Sequence, residues 1–191
     1  MTAANKITVG RILLIPVFVG FAMYYGESRE SGQPVEGWRW AAIFVFLLAA
    51  ASDGLDGFLA RHFDQRTRLG SILDPIADMG LLLAAIITLS TSNWPEKFPL
   101  WFPILVVARD LLAIVGALLL VQVARLRELS PHWTGKVATV GQMAAVGALM
   151  LNFPSLITDI LVWGAGAFTF ASGMVYLKTG ARWMQTSEDR E

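Results

Sequence analysis

There is no cysteine among the 191 residues, which excludes disulfides, thiolate nucleophiles and sulfur-ligated metals. Histidine occurs only twice. Charge is scarce as well: 16% of residues are Asp, Glu, Lys or Arg, against about 25% in an average soluble domain. The fifteen basic and fifteen acidic residues cancel, so no basic field invites nucleic acid. No internal repeat, low-complexity segment or second soluble domain is evident, and a single domain over residues 1–191 is expected.

Apolar sequence fills the space. The chain is 55% hydrophobic, with a mean hydropathy of +0.55. A bilayer core about 30 Å thick takes roughly 20 apolar residues per helix. Six runs fit: Ile7–Tyr25, Trp38–Ala60, Pro75–Ser92, Leu100–Ala124, Val137–Phe153 and Leu156–Leu177. The expected fold is therefore all-α, a polytopic bundle of six transmembrane helices. The first run lacks a small-residue cleavage site and is read as a span rather than a signal peptide. With both termini in the cytoplasm, that side collects Lys6, Arg11, Arg61, Arg66, Arg68, Arg125, Arg127, Lys136, Lys178, Arg182 and Arg190. The opposite side keeps only Arg29, Arg39 and Lys97, and Arg109 lies within a span. The positive-inside rule favours this orientation. His132 and Trp133 read as interface anchors, and the last few residues as a solvated tail.

Within this apolar chain the segment DGLDGFLARHFDQRTRLGSILDPIAD, Asp53–Asp78, carries four aspartates. Carboxylates in apolar surroundings need partners. Asp53, Asp56, Gly57 and Ala60 share one helix face, and Asp74 and Asp78 share a face of the next helix. At about 1.5 Å per residue the two pairs reach matching depth on antiparallel neighbours. Four carboxylates at one level call for cations. With the four aspartates as all-oxygen donors and no Cys, the expected ions are Mg²⁺, Mn²⁺ or Ca²⁺ rather than zinc. Two such ions about 3.5–4 Å apart form the clamp used in phosphoryl-type displacement. Gly57 and Ala60 leave room for a substrate, and Arg61, Arg66, Thr67 and Arg68 are suited to phosphate oxygens. A capping role accounts for one carboxylate at most: Asp74 before Pro75 suits an N-cap.

The order Asp53-x2-Asp56-Gly57-x2-Ala60-Arg61-x8-Gly70-x3-Asp74-x3-Asp78 resembles the signature of the CDP-alcohol phosphatidyltransferase family, with every fixed position present. The six-span layout agrees over essentially the whole chain. The resemblance implies transfer of a phosphatidyl group from CDP-diacylglycerol to an alcohol, with release of CMP. It implies two divalent ions, Mg²⁺ or Mn²⁺, on Asp53, Asp56, Asp74 and Asp78. Asp78 is implied as general base, and Gly57, Arg61, Thr67 and Gly70 as holding the CDP portion. A homodimer in the cell (inner) membrane is implied too.

NKITVGRILLIPVF (Asn5–Phe18), RDLLAIVGALL from Arg109 and GKVATVGQM from Gly135 are similar to the branch that uses glycerol 3-phosphate. That likeness carries Arg109 and Lys136 to an anionic acceptor site. Simpler roles are an Arg109–Asp110 ion pair, and orienting charges at Lys136 and Arg11. Met79 stands where that branch usually has Lys, and LGSILDPIAD is also similar to the branch whose acceptor is phosphatidylglycerol, the cardiolipin synthases. Other acceptors are inositol phosphate and serine. Intramembrane Asp and Arg also occur in cation transporters. Those place their sites near the midplane, whereas these carboxylates lie in the cytoplasmic third.

Overall fold

A computed structural model describes residues 3–62, 70–123 and 133–188; along 3–7, 53–62, 70–76, 78, 117–123 and 179–188 it gives the helix path alone. Among the described residues there are six helices and no strand: α1 (Ala3–Glu30), α2 (Glu36–His62), α3 (Gly70–Thr91), α4 (Trp101–Val123), α5 (Trp133–Met150) and α6 (Ser155–Glu188). Each apolar run of the sequence forms the body of one helix. The start of α3 differs from expectation. It begins at Gly70, so Asp74 is the fifth residue of a helix already under way, and the capping role for Asp74 is excluded. Pro75 is the sixth residue of α3, past the four N–H groups that lack a partner carbonyl, so the helix gives up one backbone bond there.

Two described stretches, Thr8–Glu30 and Ser155–Lys178, are long and apolar enough to cross a membrane, and Met79–Thr91 is a shorter apolar stretch. Two helix ends are closed by the same device. Gly32 at φ 76° and Asn152 at φ 55° adopt the left-handed conformation. The N–H groups of Gln33 and Phe153 then donate back to the carbonyls of Ser28 and Ala148. Only residues that tolerate positive φ complete this motif, and the prolines that follow cannot continue the helix. Pro34 and Pro154 each stand two residues past these positions.

The chain forms two compact units, residues 1–98 with 146–153, and residues 99–145 with 154–191. In the first, α2 and α3 both pack on α1. Phe18 meets Phe46 and the Tyr25 hydroxyl donates to Glu36, so α1 and α2 run in opposite directions. A Cβ at Gly80 falls 3.3 Å from Ile15, and one at Gly26 falls 2.9 Å from the backbone of Asn93, so α1 and α3 run in the same direction. It follows that α2 and α3 are antiparallel, with the aspartate-bearing ends together. Trp94 fixes the far end: its Nε1 donates to the Ala22 carbonyl at 3.0 Å, and its ring meets Tyr25 edge-on.

In the second unit α4 packs on α6. Gly166 accommodates the Trp101 ring, where a Cβ would come within 2.7 Å, and Gly141 lets α5 approach Ala165 of α6. Small residues at such contacts bring helix backbones close. Gln142 donates to Thr169 at 2.8 Å, and Thr169 donates to the Ala165 carbonyl at 2.7 Å.

Candidate active site

Asp53, Asp56, Gly57 and Arg61 lie on the last three turns of α2, and Gly70, Asp74 and Asp78 on the first turns of α3. Thr67 and the neighbouring Arg66 and Arg68, with Arg125, Arg127, His132 and Arg190, lie outside the described residues. Cross-helix register fixes the levels. Arg11 precedes Phe18 by as many residues as Asp53 follows Phe46, the partner of Phe18. On α3, counting back from the Ile15–Gly80 contact puts Arg11 level with Ile76, between Asp74 and Asp78. The same counts put Thr8 level with Asp56 on α2 and beside Asp74 on α3. By the same counts Asp53 is level with Ile76, between Asp74 and Asp78, and Asp56 with Leu73, next to Asp74.

Thr8 and Arg11 are buried, each only 1% exposed. An orienting charge at the membrane edge is the simpler of the roles the sequence allows for Arg11. Its burial is of another kind: an arginine is taken out of solvent only where the surroundings compensate its charge, and register puts it at the level of four carboxylates. The signal lay in NKITVGRILLIPVF, but register against α2 and α3 was needed to read it.

The donor set suits hard divalent cations. Asp53 and Asp56 stand at i, i+3 on α2, and Asp74 and Asp78 at i, i+4 on α3, two helices that run antiparallel, and carboxylate oxygens are the donors such ions take. Among the residues whose side chains are described, which do not include these four aspartates, no group of three or more His, Asp or Glu gathers as a metal site.

Arg109 and the turn carrying Lys136 come together in the second unit. Arg109 is buried in α4; its Nη1 donates to Asp110 Oδ1 at 2.8 Å. Its Nε reaches Ser172 Oγ of α6 at 3.5 Å, and its guanidinium carbon lies 5.8 Å from the centre of the Tyr176 ring. A Cβ on Gly135 would stand 2.8 Å from Nη2, so the guanidinium rests against the first turn of α5. Lys136, next in sequence, is exposed. The ion pair weighed in the sequence is present. The grip of α6 and Gly135 on the same arginine was not foreseen, since Ser172 and Tyr176 lie far away in sequence with nothing local to mark them. The first turn of a helix presents unpaired N–H groups and favours anions. Arg109 and Lys136 add charge there.

Comparison with known proteins bears on what these groups do. The family model for CDP-alcohol phosphatidyltransferase matches residues 1–171. The CDP-diacylglycerol–glycerol-3-phosphate 3-phosphatidyltransferase of Bacillus subtilis (strain 168) is 32% identical over 192 residues, covering 96% of this chain and 97% of the relative. The protein of the same name from Haemophilus influenzae is 30% identical, over 90% of this chain and 89% of its own. That of Escherichia coli K12 is 32% identical, over 75% and 74%.

Proposed function

The chain belongs to the CDP-alcohol phosphatidyltransferase family, and on that premise we propose that it transfers the phosphatidyl group of CDP-diacylglycerol to glycerol 3-phosphate, releasing CMP. The observation that carries this reading is the aspartate frame: four carboxylates at the family spacing, on α2 and α3, whose backbones run antiparallel at matching levels. The acceptor follows the names of the relatives, and Arg109, Lys136 and the first turn of α5 are chemically suited to a phosphate-bearing alcohol.

Asp53, Asp56, Asp74 and Asp78 would hold two divalent ions, Mg²⁺ or Mn²⁺. When bound, these neutralise the diphosphate and stabilise the charge that develops at the attacked phosphorus and on departing CMP. Arg61, Thr67, Gly57 and Gly70 hold the CDP portion; the two glycines let backbone approach the ligand and Arg61 donates to phosphate oxygens. Asp78 takes the proton of the acceptor hydroxyl. The acceptor oxygen then bonds to the phosphatidyl phosphorus as the bond to CMP breaks, and the proton passes from Asp78 to solvent.

All six helices are read as spans of one membrane domain. Every helix exposes large apolar side chains: Leu13, Phe44, Ile87, Ile104, Val140 and Trp163 are examples in chain order. Polar Thr8, Arg11, Arg109, Asp110, Gln142 and Thr169 are buried instead. This inside-out distribution supports immersion in lipid. The active site and both termini lie on the cytoplasmic side of the cell (inner) membrane, where acyl tails stay in the bilayer and the headgroup meets a soluble acceptor. A homodimer is carried over from the family.

The test is CMP release by purified protein given CDP-diacylglycerol, Mg²⁺, and either glycerol 3-phosphate or phosphatidylglycerol. Turnover with glycerol 3-phosphate alone is expected. Turnover with phosphatidylglycerol alone would make the enzyme a cardiolipin synthase and give Met79 a role in acceptor choice. Absence of CMP with any alcohol would refute the transferase reading and leave a cation transporter.

A further inference from the structure

Arg109 is held by more than an ion pair requires. Asp110 alone neutralises it, at 2.8 Å. Yet Ser172 and Tyr176 of α6 also face the guanidinium, and Gly135 of α5 clears the space for Nη2, which any Cβ would enter to 2.8 Å. Three helices thus define where one planar cation stands, next to the exposed Lys136. A guanidinium reads a phosphate through fixed N–H directions, so its value as a ligand depends on orientation as well as charge.

We propose that Gly135, Ser172 and Tyr176 are positioning residues for the acceptor: they hold the Arg109 guanidinium against the first turn of α5 so that the acceptor's phosphate meets a preset cation. The Tyr176 ring face attracts the guanidinium from one side. Ser172 Oγ accepts from Nε and fixes rotation of the plane. The absent side chain at Gly135 lets the far edge reach the helix N-terminus. This proposal rests on Arg109 as an acceptor ligand.

The experiment measures KM for glycerol 3-phosphate and for CDP-diacylglycerol separately, in full-length Arg109→Ala, Gly135→Ala, Ser172→Ala, Tyr176→Leu and Tyr176→Phe proteins with matched thermal melts. Tyr176→Leu removes a contact of the cation–π class and is expected to raise the glycerol 3-phosphate KM about three- to tenfold. Gly135→Ala does the same by pushing Nη2 aside. The KM for CDP-diacylglycerol stays within about twofold, and Tyr176→Phe, which keeps the ring face, stays near the parent. In an Arg109→Ala background Tyr176→Leu adds nothing further. If Arg109→Ala leaves the glycerol 3-phosphate KM unchanged, the acceptor assignment of Arg109 fails and takes the proposal with it. If Arg109→Ala raises that KM but Tyr176→Leu and Gly135→Ala do not, the positioning role alone is overturned. Equal rises in both KM values mark a merely structural role and also overturn it. Should Gly135→Ala fail to fold, Ser172→Ala and Tyr176→Leu decide the matter by the same split.

Discussion

Asp78 and Arg11 carry the sharpest residue-level consequences. General-base catalysis is worth about 10²–10⁴-fold, so Asp78→Asn is expected to lose CMP release by that order while a CDP-diacylglycerol binding assay changes little. Near-parent turnover would remove Asp78 as the base. Arg11 is buried at the level of the aspartates, and Arg11→Met preserves much of its length while deleting its charge. Turnover of Arg11→Met is expected to fall at least about tenfold, the scale of a charge-assisted contact, with a melting temperature near that of the parent. An unchanged rate would return Arg11 to the role of an orienting charge. The aspartates were legible because their spacing is written in the sequence. The burial of Arg11 was not, since it follows from how α1 registers against two other helices, and no local pattern encodes that register.

Among the described residues, specific polar contacts join some of the elements. Gln142 of α5 donates to Thr169 of α6, with both side chains buried. Such bonds between membrane helices average about 0.6 kcal/mol and reach about 1.7 kcal/mol. Gln142→Leu is therefore expected to destabilise the protein within that range, measured as a loss of melting temperature in detergent, with kinetic constants intact. No shift would mean that packing at Gly141 and Ala165 carries the contact alone. The helices themselves were readable from apolar run length. Their ends were less so: α3 starts at Gly70 because helix continues back through Asp74–Pro75, where a cap looked natural. The seat of Arg109 was unreadable for a related reason, since it joins three elements that approach only in the folded chain.

Across the whole molecule, a cysteine-free sequence is a ready background for mapping sidedness. Ser31, exposed in the turn after α1, and Ser187, near the end of α6, belong on opposite sides under six spans. In intact cells or right-side-out vesicles an impermeant maleimide is expected to label Ser31→Cys and to spare Ser187→Cys until the membrane is opened. Labelling of both, or of Ser187→Cys alone, would overturn the proposed topology.

The close approach of Gly26 to Asn93 sets a vernier between α1 and α3 at the end remote from the aspartates, about 22 Å along α1 from Arg11. A helix transmits a slip at one end toward the other, and in α1 that path runs through Pro16, where a backbone bond is missing. Gly26→Ala, a single methyl far from any substrate, is therefore expected to lower CMP release severalfold through misregistration of Arg11 and Thr8, and second-site changes that restore activity should map to residues 92–95. Full activity in Gly26→Ala would mean that α1 takes its register from the Arg11 end. Chemistry in this protein is then exposed to drift at a quiet surface, and the end of α1 remote from the aspartates is among the stretches least free to vary.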